Sequence, residues 1–413
     1  MNNIIKILSS KLKYLIKLIL KPILYFFFYP IKYLVKKSNI VLLSGADDQF
    51  YCGNSRYLYE FLSKDSKLRV YYYTNSKEVQ KYLNLHNLKF ISLSRPFELI
   101  ILMLQAKIVI NSGDSYLNFF GITDISSVFK ICLNHGSGPK IKSNACEDFW
   151  KEHVKKSAKF DFINFPSNYT SNSFGNDLYN LPVSKIISLG YPRCDQFFNK
   201  KLVDKSFAKK EYLKELIGNE FSINDKTLLY TPTWRPYDYE FPLLKMKGLE
   251  LIHFNKWLQT NNLYFVYTTH LSIDMYRKYG FEADRIKMIN RSKFNLFDIN
   301  KLMMEVDILL NDYSTSSVDF SILGKPQIFF LPDANTYSKK VDFIDEYRDS
   351  MPGAEIKDYN SFIEKIEYIL NNEKNYLSDY KSRNIDLLEK YLYNSYVNSS
   401  NNFNQFINKI ISL

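Results

Sequence analysis

Residues 307–331, DILLNDYSTSSVDFSILGKPQIFFL, constrain the fold more than any other stretch of the chain. The apolar run Ile308, Leu309 and Leu310 predicts a short buried strand. Asn311 and Asp312 end it, and Ser314, Thr315, Ser316 and Ser317 follow. Val318, Phe320, Ile322 and Leu323 then fall on neighbouring faces of a helix, which Gly324, Lys325 and Pro326 stop. Residues 328–331 predict a second apolar strand. The helix of this strand–helix–strand unit has a start crowded with hydroxyls. Backbone N–H groups and the positive end of the helix dipole favour an anion there. Ordinary capping is the competing explanation, because Ser, Thr and Asp are the usual capping residues.

The same alternation runs through the rest of the chain. Strands are expected at 39–43, 69–73, 89–93, 106–110, 130–133, 160–165 and 186–189, with helical patterns at 54–62 and 77–83 between them. A charged helix at 205–216 carries the chain into a second set of strands, at 227–230, 263–267 and the opening stretch. Strands alternating with helices imply parallel βαβ units and doubly wound sheets, which bind ligands at the carboxyl ends of their strands. A chain of 413 residues suits two such domains. The expected division is 38–203 and 204–413, with helices at 360–371, at 377–392 and near the end. Hydrophobic residues at 46% and charged residues at 24% describe a core-forming protein and exclude a disordered one. Gly and Pro, at 13 each, are too scarce for a loop-rich or fibrous chain.

The first 37 residues differ. Lys6, Lys11, Lys13, Lys17, Lys21, Lys32, Lys36 and Lys37 meet no acidic residue there, and the lysines interrupt an apolar pattern at helical spacing. The longest uncharged run, 22–31, falls short of the roughly 20 residues that cross a bilayer. No small-residue cleavage site follows it. Residues 1–37 therefore read as an amphipathic basic helix on an anionic membrane surface. Packing on the protein's own core is the alternative. The net charge of +12 does not indicate nucleic acid, since no basic stripe is interleaved with aromatics at a regular spacing. Cys52, Cys132, Cys146 and Cys194 are widely spaced, without a CxxC pair, which fits a reducing cytoplasm.

Several chemistry-bearing residues stand directly after strands. His135 precedes the Gly-rich turn Gly136, Ser137, Gly138; imidazole accepts a proton near neutral pH, and glycine lets backbone approach a ligand. Arg193, after Gly190, Tyr191 and Pro192, either reaches a cleft or belongs to a rigid interdomain turn. Arg235 follows Thr231, Pro232, Thr233 and Trp234, as a phosphate clamp or a surface Arg stacked on Trp234. His270 ends the run after strand 263–267. Arg235, His270 and Ser314–Ser317 thus leave three successive strands of one sheet, whose ends can converge on one anion. No P-loop is present and no GxGxxG follows a strand, so neither an NTPase nor a dinucleotide enzyme is indicated. No acidic cluster or DxD stands at a strand end, so the sequence requires no metal and no cofactor.

Taken in order, these motifs resemble the CDP-glycerol glycerophosphotransferase family of teichoic-acid polymerases and primases. Asn134-His135-Gly136 is similar to its Trp-His-Gly, and 190–195 (GYPRCD) to its Gly-Tyr-Pro-Arg-Asn-Asp. Residues 230–235 (YTPTWR) resemble its Tyr-Ala-Pro-Thr-Trp-Arg; Thr269-His270 stands at its His-Pro; 311–316 (NDYSTS) resembles its Thr-Asp-Tyr-Ser-Ser; and Met351-Pro352-Gly353 its trailing Pro-Gly. The resemblance covers most of 39–370. It implies a GT-B fold of two Rossmann-like domains, peripheral attachment at the cytoplasmic face of a bacterial membrane, and transfer of a polyol phosphate from a CDP-alditol. The acceptor would be a hydroxyl of a lipid-linked or polysaccharide chain. His135 would be the general base. Arg235, His270, Asp312, Ser314, Thr315, Ser316 and Ser317 would hold the donor, with Gly136, Arg193 and Thr233 beside them. Asn134 for Trp, Ser137-Gly138-Pro139 for Thr-Pro-Leu and Leu271 for Pro are departures that bear on the donor's polyol and the acceptor, not on the class. A sugar transferase of the same fold, using a nucleotide sugar, is the nearest alternative.

Overall fold

A computed structural model describes residues 29–30, 35–113, 116–136, 154–233, 235, 237–238, 240–268, 281–290, 294–341, 347–392 and 398–412. The amphipathic segment 1–37 therefore lies almost wholly outside the described residues, as do Trp234 and His270.

The alternating apolar runs form two sheets. The first contains β1 (Ser38–Ser44), β2 (Arg69–Tyr73), β3 (Phe90–Ile91), β4 (Ala106–Asn111), β5 (Phe129–Cys132), β6 (Phe162–Asn164) and β7 (Ile186–Ile187), in the order β3-β2-β1-β4-β5-β6-β7. The second contains β8 (Lys226–Tyr230), β9 (Leu263–Thr268), β10 (Ile286–Ile289), β11 (Ile308–Asn311), β12 (Gln327–Phe330) and β13 (Ala354–Ile356), in the order β10-β9-β8-β11-β12-β13. All of its pairings are parallel. Both orders reverse direction after the third strand, the doubly wound pattern in which ligands bind at the point of reversal. In the second sheet that point lies between β8 and β11.

Burial follows the strand period of two. On β8, Leu228 and Tyr230 enter one apolar layer with Phe265, Tyr267, Leu310, Phe362 and Ile366. Leu229 between them enters the other, with Tyr264, Val266, Leu309, Met303 and Phe320. Both faces are covered, as parallel sheets require, which is why the strands read as continuous apolar runs.

Contacts divide the chain into two units, one holding residues up to Asn134, Lys156–Ile163 and Ser400–Leu413, the other His135–Lys155 and Asn164–Ser399. This differs from division at 203/204: His135 and residues 164–203 fall in the second unit, and the end of the chain falls in the first. The last helix, Ser399–Ser412, returns to the first unit. Lys107 Nζ donates to the Ile411 carbonyl at 2.6 Å, and Phe406 meets Phe162 edge-on at 5.1 Å. An apolar helical stripe says that a helix is covered, not by what.

Two further differences have local causes. The helix expected at 205–216 is two, Lys200–Lys209 and Glu211–Ile217, parted by Lys210 in the left-handed region at φ 46°. That break turns the Lys210 side chain inward, where Nζ meets Asp307 Oδ2 and the Asp225 carbonyl, both at 2.8 Å. The gap expected between 371 and 377 is only a kink at Asn372 within the helix Tyr359–Asp379.

Candidate active site

The register of β8 with β11 builds the centre of the site. Leu309 lies beside Leu229 and Leu310 beside Tyr230, so the loops leaving the two strands start side by side. Thr231 Oγ1 donates to Asn311 Oδ1 at 3.2 Å and shares a 2.7 Å hydrogen bond with Ser316 Oγ. Ser316 Oγ in turn donates to Ser314 Oγ at 2.9 Å, and Asn311 Nδ2 donates to the Ser314 carbonyl at 3.0 Å. The hydroxyl-rich turn is thus tied to the carboxyl edge of the sheet, and the helix it opens runs Ser316–Ser321. Ser317 is buried, its carbonyl accepting from Ser321 Oγ and Gln327 Nε2. Thr315 is half-exposed.

Asp312 is fully buried and takes hydrogen bonds from the Thr233 amide (3.0 Å), the Thr233 hydroxyl (2.6 Å), Arg235 Nη1 (2.8 Å) and the Tyr313 amide (2.6 Å). Arg235 is 1% exposed. Its Nε and Nη2 grip Asp333 at 2.7 and 3.0 Å, and Nη1 also donates to the Thr233 carbonyl at 2.9 Å. Burial opposes its charge, but Asp312 and then Asp333 outweigh burial and hold the guanidinium above its ordinary value. Tyr237 and Tyr313 donate to Asp333 at 2.7 and 3.0 Å, and Tyr337 stacks on Tyr313 at 3.9 Å between ring centres. The side chain expected as a phosphate clamp thus meets Asp312, Asp333 and the Thr233 carbonyl. A guanidinium between two carboxylates has four of its five N–H donors committed and carries no surplus charge toward a phosphate. It holds Thr233, Asp312 and Asp333 in place, and Asp312 is likewise committed within the protein. Arg235 does not stack on the surface either.

His135 stands exposed after β5, following Asn134 at φ 60°. Its carbonyl accepts from Arg193 Nη1 at 3.3 Å. The rest of that guanidinium is bound to Asp319 of the helix Ser316–Ser321, Nε to Oδ2 at 2.7 Å and Nη2 to Oδ1 at 3.2 Å, with both side chains 8% exposed. Burial opposes the Arg193 charge and Asp319 outweighs it; burial, and Asp319 after it, push the Cys194 thiol up. Gly136 lies against Thr315: a Cβ there would stand 3.0 Å from Thr315 Oγ1. The structure therefore brings His135, Gly136, Arg193, Thr315 and the serine turn together, and Thr233 and Arg235 beside Asp312. Strand β9, which leads to His270, neighbours β8, but His270 itself is outside the described residues.

Sequence reasoning missed Asp319 and Asp333. Asp319 left a signal: a carboxylate between the apolar residues Val318 and Phe320, next to a buried strand, calls for a cation. Asp333 left none, because its partners are distant in sequence. Among the described residues no group of three or more His, Cys, Asp or Glu side chains is placed to hold a metal ion.

Two doubly wound sheets, with a polar edge at the reversal point of the second, define an α/β fold of the GT-B type. The chain belongs to the CDP-glycerol:poly(glycerophosphate) glycerophosphotransferase family, which matches residues 25–407. It is 28% identical over 327 residues to the teichoic acid glycerol-phosphate primase of Bacillus subtilis, covering 76% of each chain. It is 22% identical to the teichoic acid glycerol-phosphate transferase of Staphylococcus aureus, covering 82% of this chain and 86% of that one. Against the poly(glycerol phosphate) polymerase of Bacillus subtilis it is 24% identical but spans only 44% of that protein's length. Among solved structures, the wall teichoic acid polymerase TagF superposes with a TM-score of 0.70 at 19% identity, covering 92% of this chain and 91% of that one. At that identity the likeness supports the fold.

Proposed function

We propose that the protein transfers a glycerol or ribitol phosphate from a CDP-alditol to an acceptor hydroxyl of a lipid-linked or polysaccharide chain during envelope or capsule polymer synthesis. The carrying observation is family membership across nearly the whole chain; it is supported by the motifs at 230–235 and 311–316, which leave the two strands at the reversal point of the second sheet. In the reaction the acceptor oxygen attacks the β-phosphorus of the donor. A new P–O bond forms, the P–O–P bridge breaks, and CMP leaves with the bridging oxygen. His135 accepts the acceptor's proton. The Ser314 and Thr315 hydroxyls and the turn's backbone amides receive the phosphoryl oxygens, with His270 as a further contact. Preorganised donors of this kind carry most of the rate in phosphoryl transfer. Arg235 contributes by fixing the two loops rather than by touching the donor.

Residues 1–37 serve as a basic anchor on an anionic membrane at the cytoplasmic face. Among the described residues no helix is long and apolar enough to cross a membrane. The deciding experiment offers the purified protein CDP-glycerol, CDP-ribitol and a panel of nucleotide sugars with an acceptor. The proposal expects CMP release from a CDP-alditol and phosphorus in the product. Consumption of a nucleotide sugar, with no phosphorus transferred, would replace it with a sugar transferase.

A further inference from the structure

We infer that Asp319, acting through Arg193, is a positioning residue for the His135 loop; this rests on His135 being the base of the proposed reaction. Arg193 uses one edge of its guanidinium to bind Asp319 and reaches the His135 carbonyl with Nη1. The very next residue, Gly136, packs its bare Cα against Thr315, which precedes the helix carrying Asp319. The helix Ser316–Ser321 and the residue before it thus hold the base loop at two consecutive residues, through Arg193 at His135 and through Thr315 at Gly136. The chain enters this contact from Asn134 at φ 60°, a left-handed conformation that Asn adopts readily.

The choice of residues supports positioning over simple filling of space. A buried ion pair adds little stability over an apolar pair of the same volume. A guanidinium, unlike an ammonium, can hold a carboxylate with two nitrogens and still present a third to a carbonyl. Thr315 is also a proposed donor contact, so the donor turn and the base are placed as one body.

The test uses the full chain with Arg193→Lys and Asp319→Asn. Donor-binding stoichiometry and affinity are measured by calorimetry with CDP-glycerol, and kcat by CMP release. Both variants are expected to keep donor affinity while kcat per donor-competent site falls about 100-fold, the usual scale for an ångström-sized misplacement. The pH at which the His135 limb of kcat appears should stay put, because the base is moved and not retuned. A fall in stoichiometry with unchanged kcat per competent site would show a purely structural pair and overturn the inference. If the wild-type protein turns over no CDP-alditol, the functional proposal fails on its own. The pin is then judged by amide hydrogen exchange at 133–136: faster exchange confined to that loop in both variants sustains it, and unchanged exchange overturns it.

Discussion

Arg235 and Asp333 face each other through two parallel hydrogen bonds, Nε to Oδ2 at 2.7 Å and Nη2 to Oδ1 at 3.0 Å. With Asp312 on Nη1, one buried cation joins the loops that leave β8, β11 and β12. Removing Asp333 leaves Arg235 paired with Asp312 but takes away the carboxylate that accepts from Nε and Nη2, and a hydrogen bond to a charged group is worth about 1.5–3 kcal/mol. Asp333→Asn should therefore lower the urea midpoint markedly with little change in slope. Burial alone would raise the Asp333 carboxyl; Arg235 outweighs it and holds the group below its ordinary value. Its stabilising contribution is thus complete above the ordinary carboxylate range and is lost as pH falls through the lower folded value. The stability difference between wild type and Asp333→Asn should shrink on acidification below about pH 4.

Lys325 should give a pH signature of the same sign in a higher window. It borders a cavity of about 140 Å³ together with Phe207, Lys226, Asp307 and Glu373. Burial pushes its amine down to about 7 from 10.5, although Nζ donates to the Met304 and Val306 carbonyls at 2.7 and 2.8 Å. Between those two values the unfolded chain binds more protons than the folded one, so stability rises with pH across that window. Denaturation of wild type and Lys325→Met at pH 7 and pH 10 should show the wild type gaining on the variant at the higher pH.

Gly353 explains the Pro-Gly that trails the family's motifs. A Cβ there would collide with the Gln327 carbonyl, in backbone that cannot move without parting β12 from β13. Gly353→Ala should cost at least the 1–3 kcal/mol typical of overpacking. Thermal melting checks this, and residual activity should track the folded fraction.

The anchor makes a prediction about salt. Protein lacking residues 1–37 should lose sedimentation with vesicles containing anionic lipid, while the full chain binds them and is released as ionic strength rises. Equal binding by the truncated protein would contradict the anchor.

The sheets were legible because a strand covered on both faces must be apolar along its length, as Ile308–Asn311 and Leu263–Thr268 are. Strands β10 and β13 were not, since Lys287 and Glu355 interrupt them near the edges of the sheet. At the site, strand ends marked where His135, Arg193, Arg235 and Ser314 stand. What each touches was not legible. Arg235 looks the same in sequence whether it meets a phosphate or two carboxylates, and only the strand order β8-β11-β12 decides. Lys210 is similar: nothing nearby announces that it breaks a helix to reach Asp307, 97 residues away.

The most direct test compares wild type with His135→Ala in CMP release and in CDP-glycerol binding on the same preparations. The account predicts that the variant binds the donor nearly as well and releases almost no CMP in the presence of acceptor. Transfer at the wild-type rate by His135→Ala would contradict it.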